Sequence, residues 1–147
     1  MMSETKRIQS FSLDRQGLAR VLGSLEAEVM EVIWRKGQEV TIREVWEDLL
    51  LSREIAFNTV MTVMNRLVEK GVLRRERGRE AYRYRPLQSR DEFMRDMSRR
   101  VARGLVDDFG ESVIAPFVEA LDEAHPGYLQ ALEEFIRRRR GQRGARE

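Results

Sequence analysis

A chain of 147 residues, 41% hydrophobic and 35% charged, is one ordinary domain or a small domain with an extension. It contains no cysteine, which excludes disulfides, thiol catalysis and cysteine metal sites and fits a reducing, cytoplasmic compartment. The formal charge of +2 is unevenly spread: residues 1–88 hold 16 Lys/Arg against 13 Asp/Glu, residues 89–136 hold 5 against 11, and residues 137–147 hold 6 against 1. A partner bearing phosphates would prefer the first of these segments. No apolar run reaches the ~18 residues of a bilayer span, so no membrane insertion is expected. The opening MMSETKRIQSF lacks the apolar stretch of a secretory signal.

Residues 1–21 are mixed and basic, with Lys6, Arg7, Arg15 and Arg20. They are read as an N-terminal arm, with a short helix from Ser12 to Val21 weakened by Gly17. Ser24 is placed as the N-cap of a helix to Lys36, with Leu25, Val29 and Ile33 in its buried stripe, Trp34 near its end and Gly37 as its stop. Val40 is expected as a minimal strand pairing with a later hairpin. Thr41-Ile42-Arg43-Glu44 is a capping box opening a helix to about Leu51 that buries Val45, Leu49 and Trp46. Residues 52–56 link it to the next helix.

That helix runs from Phe57 to Lys70. Val60, Val63, Met64 and Leu67 recur at intervals of three and four, one apolar face. The opposite face carries Asn58, Thr59, Met61, Thr62, Asn65 and Arg66. Gly71 ends the helix. Two strands follow, Val72 to Arg77 and Ala81 to Arg85, around a turn at Gly78-Arg79-Glu80. Tyr82 and Tyr84 fall on one side of the second strand and Arg83 and Arg85 on the other. From Ala56 to Leu87 there are eight Lys/Arg and three Asp/Glu, a local balance of +5.

Ser89-Arg90-Asp91-Glu92 is a second capping box. The long helix it opens reaches about Phe109 with Phe93, Met94, Met97, Val101 and Leu105 near helical spacing. Gly104, in its interior, costs roughly 1 kcal/mol relative to alanine and suits close approach of another helix. Gly110 ends this helix. Ser112 to Ala124 forms the next, starting a residue or two late because Pro116 falls in its first turn. His125-Pro126-Gly127 breaks the chain, and Tyr128 to Arg140 forms the last helix. The fold expected is mainly α with a small β-hairpin wing. It comprises a winged helix-turn-helix over 22–88, a helical dimerisation region over 89–140, and a disordered basic tail over 141–147. The three C-terminal amphipathic helices need a partner for their stripes, which favours a two-fold homodimer over an intramolecular bundle.

The run NTVMTVMNRLVEKGVLRRERGREAYRYRP and the opening LGSLEAEVMEVIW resemble the penicillinase-repressor (BlaI/MecI/CopY) family, over about Leu22 to Phe117 and more loosely beyond. The resemblance implies a bacterial cytosolic repressor that sits as a homodimer on a palindromic double-stranded DNA operator. It also implies, for several members, release by a regulatory partner protease, of the membrane in that role, that cuts the dimerisation region. In the β-lactam branch the cut falls in the helix that here reads Ile114-Ala115-Pro116-Phe117, where a proline on the N-terminal side of the bond disfavours cleavage. The copper-responsive branch uses a C-terminal cysteine cluster, which this chain lacks.

In a helix-turn-helix the N-terminal residues of the second helix lie nearest the bases. The DNA-binding candidates on that helix are Asn58, Thr59, Met61, Thr62 and Arg66. The resemblance matches Thr59 and Thr62 to the family's recognition threonines. Threonine hydrogen-bonds a base or packs its methyl on thymine, and Met61 stands where related repressors can carry a basic residue. Local capping is the alternative for Asn58 and Thr59. Arg66 is assigned to phosphate. In the wing, Arg77, Arg79 and Arg83 are the phosphate candidates, against solvated strand charges, while Tyr82 and Tyr84 are expected to pack beneath the wing. The Arg137–Arg140 run is read as a solvated tail, with DNA or lipid phosphate as the alternative. No nucleophile elbow, Walker A loop or HExxH occurs; no enzyme activity, cofactor or metal site is expected, and His125 is read as a loop residue. A protein-binding adaptor and a small-molecule-responsive DNA-binding sensor remain the alternative functions.

Overall fold

The computed structural model of the protein describes residues 22–145; the arm expected over 1–21 lies outside the described residues. The elements, in order, are α1 (Ser24–Lys36), α2 (Ile42–Leu50), α3 (Phe57–Glu69), β1 (Leu73–Arg77), β2 (Tyr82–Pro86), α4 (Arg90–Phe109), α5 (Ile114–Ala124) and α6 (Tyr128–Gly144), with a 3-10 turn over Gly110–Val113 before α5. Two compact units result, divided between Arg99 and Arg100. The division falls inside α4. The reason is packing: Phe93 and Met97 are buried in the core of the first unit.

That core is a single cluster. α1 contributes Ala27, Val29, Met30, Val32 and Ile33, α2 contributes Val45 and Leu49, and α3 contributes Val60, Val63, Met64 and Leu67. The three helices pack on one another, each burying one stripe, as their periodicity requires. α1 begins one residue earlier than expected. Gly23 is its N-cap, because the Glu26 carboxylate accepts the Gly23 N–H at 3.3 Å. At α2 the capping box forms as the sequence indicates: Glu44 N–H donates to Thr41 Oγ1 at 3.2 Å and Thr41 N–H to the Glu44 carboxylate at 3.4 Å. Trp46 is only partly buried; its indole N–H donates to Ile55 O at 2.9 Å and its ring meets Phe57 edge-on at 5.6 Å. These two contacts fix the turn from α2 to α3.

α3 ends in a Schellman motif. Val72 N–H donates to Leu67 O at 2.9 Å and Gly71 N–H to Val68 O at 3.0 Å, with Gly71 at φ 76°, a conformation that favours glycine. The chain is thereby turned directly into β1. β1 and β2 pair antiparallel, with Leu73 opposite Pro86 and Arg77 opposite Tyr82. Val40 joins them as the minimal third strand: its N–H donates to Tyr84 O at 3.0 Å and its carbonyl accepts the Tyr84 N–H at 2.8 Å. Trp34 anchors the start of α4, donating to Gln88 O at 3.0 Å with its ring 5.5 Å from Phe93.

One buried charge joins the two ends of this unit. Glu26 is 5% exposed, and Lys70 Nζ reaches both its oxygens at 2.9 and 2.8 Å. The pair links the first turn of α1 to the C-cap of α3. Other ion pairs among the described residues, Arg35 and Lys36 with Asp48, Arg53–Glu28 and Arg90–Glu31 among them, are solvent-accessible and contribute little each.

The second unit is built differently. α5 and α6 pack against each other, yet no residue from 100 to 145 is buried. Phe109, Ile114, Phe117 and Phe135 are each more than half exposed. Pro116 is the third residue of α5, inside the first turn where its missing N–H is no loss. α6 runs on through Gly144, so residues 141–144 are helical where a disordered tail was expected. Arginine and glutamine are strong helix formers, and they carry the helix past Gly141.

Replacing Lys70 by Met is expected to lower the unfolding free energy by about 2–3 kcal/mol, because a buried carboxylate loses its counter-charge. Urea melting of Lys70→Met beside the Glu26→Gln/Lys70→Met double variant measures it, the double variant recovering part of the loss. At the wing tip, a Cβ on Gly78 would stand 2.5 Å from Ala81 O. Gly78→Ala is expected to cost about 1 kcal/mol or more and to raise hydrogen exchange selectively in the hairpin amides.

Candidate nucleic-acid interface

The surface that matters is framed by three elements: the start of α2, the outer face of α3 and the tip of the wing. An open cleft between them is lined by the N-cap Thr41, by Ile42, Arg43, Glu44 and Glu47 from α2, Phe57 and Met61 from α3, and the run from Arg79 to Arg83. The core stripe of α3 faces inward, so its opposite face is left to solvent by helical geometry. Asn58, Thr59, Thr62 and Arg66 are exposed there, and Met61 is 36% exposed.

The N-cap of α3 is Ala56, with no side-chain cap. Asn58 and Thr59 therefore do not cap their own helix, and the α3 start leaves both side chains facing outward from the first turn. Thr62 is different. Its hydroxyl donates to Asn58 O at 2.9 Å, the back-bond available to threonine within a helix. Its donor is thus used locally, and what it presents outward is an acceptor lone pair and a methyl group.

The wing sorts its arginines into two kinds. Alternation puts Arg74, Glu76, Arg83 and Arg85 on one face and Leu73, Arg75, Arg77, Tyr82 and Tyr84 on the other. Glu76 is shared by Arg74 at 3.3 Å and Arg85 at 3.4 Å. Arg75 donates to Asn65 Oδ1 at 3.0 Å and lies 4.4 Å over the Tyr82 ring. Arg77, Arg79 and Arg83 remain, all exposed and in no ion pair among the described residues. These are the three singled out from the sequence, and with Arg66 they are cations of this face that no carboxylate contacts directly among the described residues, although Glu44, Glu47 and Glu80 also line the cleft.

The two wing tyrosines part company. Tyr84 is 1% exposed and packs beneath the wing as expected; Tyr82 is 44% exposed. Tyr82 sits at the end of β2, beyond the reach of the core, and its ring is covered instead by the Arg75 guanidinium.

Two residues of this surface escaped the sequence reading. Asn65 stood among the polar residues of α3 without a role; its Oδ1 accepts from both Tyr84 Oη at 2.8 Å and Arg75, fastening the wing to α3. Arg43 was read only as part of a capping box. It is exposed in the first turn of α2 and lies 5.9 Å over the Phe57 ring, on the wall of the same cleft. Its sequence signal was its place in the first turn of the first helix of the pair. Among the described residues, no group of His, Cys, Asp or Glu could hold a metal ion, and no helix is long and apolar enough to cross a membrane. His125 Nδ1 accepts the Gly127 N–H at 3.0 Å in the turn before α6.

Comparison with known proteins converges on this architecture. Two curated relatives, each described as "Transcriptional regulator BlaI", from Mycobacterium tuberculosis strains CDC 1551 / Oshkosh and ATCC 25618 / H37Rv, are 41% identical to this chain over 73 residues. The match covers 50% of this chain and 53% of each relative, so it spans about half the length of these relatives. The sequence profile of a family, described as penicillinase repressor, matches residues 22–138, which takes in both compact units from the first core residue to the middle of α6. With that match across most of its length, the chain belongs to the penicillinase repressor family.

Proposed function

We propose that this protein is a sequence-specific transcriptional repressor of the cytoplasm that binds a palindromic DNA operator as a homodimer. The observation that carries the reading is the pairing of two features on one face. An α3 surface whose first-turn polar side chains are unused stands beside three wing arginines, Arg77, Arg79 and Arg83, that form no ion pair among the described residues. α3 enters the major groove with Asn58, Thr59, Met61 and Thr62 toward the base edges. Thr62, with its donor bonded to its own helix, accepts from an adenine or cytosine amino group or packs its methyl on that of thymine. Met61 makes apolar contact with thymine and offers no bidentate partner to guanine. Arg66, Arg77, Arg79 and Arg83 hold phosphates, which fix position and carry no sequence information. Arg43 joins them from α2.

The homodimer reading is supported by the second unit, whose helices keep their apolar residues in solvent. A face of this kind marks an interaction surface, and two-fold pairing is the commonest closed solution. Gly104 meets no atom within 4 Å at the position of a Cβ, so the space beside it is open for a second copy. Release from the operator acts on this helical half, through a partner protease as in other members of the family or through another signal. The exposed first turn of α5, Ile114 to Phe117, is the segment such a protease would meet, with Pro116 disfavouring the bond that follows it.

Neutralising ~4–5 phosphates per protomer, the winged helix by itself contributes roughly −7 to −9 to the log–log salt slope of the dimer, with the two α3 helices about 34–36 Å apart. Fragments selected from the source genome by the full chain supply the operator. On it, Arg79→Ala is expected to weaken operator and random DNA alike, by roughly 3-fold to 10-fold, whereas Thr62→Ala changes the ranking of operators by ~1 kcal/mol or more. Equal effects of Thr62→Ala on operator and random duplexes would remove its reading role. Light scattering at micromolar concentration checks the assembly: a dimer mass is expected, and a strict monomer would sink the two-fold scheme.

A further inference from the structure

The C-terminal half of α6 takes no part in the reading above. Arg137, Arg138, Arg139, Arg140 and Arg143 are all exposed, helical, and in no ion pair among the described residues. Arg137 and Arg138 have Glu133 and Glu134 one turn behind them, at the spacing that allows helical pairing. Arg139, Arg140 and Arg143 have no such partner: the residues three and four positions before them are Phe135, Ile136, Arg137, Arg139 and Arg140. The pairs 137/140, 140/143 and 139/143 place like charges on neighbouring turns, which is mutually repulsive. The helix C-terminus offsets part of that repulsion. A polyanion lying along this flank would relieve the rest, and the planar guanidinium suits phosphate oxygens.

Two kinds of polyanion could be met, a nucleic acid and a lipid surface. A helix that lies on a membrane needs apolar side chains beside its basic ones to enter the acyl boundary. Here the apolar residues stop at Ile136, and from Arg137 to Gly144 there is none. We propose that the turns of α6 from Arg137 to Arg143 are a second phosphate-binding element, which grips DNA outside the segment read by α3. This rests on the reading of the chain as a DNA-binding repressor. It adds affinity without sequence preference, because the contacts are to the backbone alone. It also acts at high effective concentration, since the winged helix on the same chain already holds the duplex.

The test uses the full chain and a mixed-sequence duplex of about 40 base pairs, followed by fluorescence anisotropy from about 25 to 200 mM NaCl. The R139Q/R140Q/R143Q variant is compared with the unaltered chain and with Arg79→Ala. Glutamine keeps helix propensity, so circular dichroism and light scattering should not change. The triple variant is expected to reduce the steepness of the salt slope by about two to three per protomer, and Arg79→Ala by about one. If Arg79→Ala acts as expected and the triple variant keeps the full slope, this element is overturned while the repressor reading stands. If the unaltered chain does not bind at about 25 mM NaCl, the DNA reading itself fails and this element with it. Loss of binding to phosphatidylglycerol vesicles by the triple variant, with the DNA slope unchanged, would likewise overturn it in favour of lipid.

Discussion

Tyr84 is the side chain on which the geometry of the first unit turns. Its backbone exchanges two hydrogen bonds with Val40, on the segment just before α2. Its ring is 1% exposed, inside the core. Its hydroxyl donates to Asn65 on the outer side of α3. A tyrosine suits this place because it has a large apolar body and one polar tip. Phenylalanine would fill the space but leave Asn65 a partner short. Through this one residue the wing, the approach to α2 and α3 are held in a single frame. Arg75 adds a second bond to the same Asn65 oxygen, so the hairpin cannot swing without breaking both.

That frame decides which charges are available. The hairpin is rich in arginine, but an arginine committed to a protein partner is a poor ligand for phosphate. Glu76 occupies Arg74 and Arg85, and Asn65 with Tyr82 occupies Arg75. The free ones cluster toward the tip, where the turn at Gly78 holds them out from the core. The helix between them is nearly neutral and presents hydroxyls, an amide and a thioether. The free positive charge and the nearly neutral polar face are thus separated along one continuous stretch, the first in the wing and the second in α3.

The second unit obeys the opposite economy. Its helices are well formed, with their ends set by Gly110 and by the His125–Gly127 turn, yet they bury nothing fully. A helix is stabilised mostly by packing its apolar face, and here Phe109, Ile114, Phe117 and Phe135 keep theirs in solvent. A surface of this kind marks an interaction face. α4 begins in the core of one unit, through Phe93 and Met97, and ends in the other, so its first turns are fixed by the winged helix whatever its last turns meet.

The sequence by itself determined the order and kind of the α-helices and the hairpin, though not the 3-10 turn over Gly110–Val113. The apolar periodicity of α1, α2 and α3 is strong, and Thr41-x-x-Glu44, Gly37 and Gly71 punctuate it with local chemistry that needs no tertiary help. The same locality made Arg77, Arg79 and Arg83 legible as exposed wing charges, and Val40 as a minimal strand. What the tertiary structure decided was partnership. No local rule says that Glu76 takes Arg74 and Arg85, that Arg75 crosses to α3, or that Asn65 is a fastening and not a surface amide, because these contacts join residues brought together only by folding. The same holds for Tyr82, whose alternation matched that of Tyr84 but whose position at the end of its strand left it outside the core. That the first turns of α4 belong to the first unit was likewise a tertiary matter, because Phe93 and Met97 join a core built from residues as far back as Leu22, a long-range fact that periodicity cannot carry.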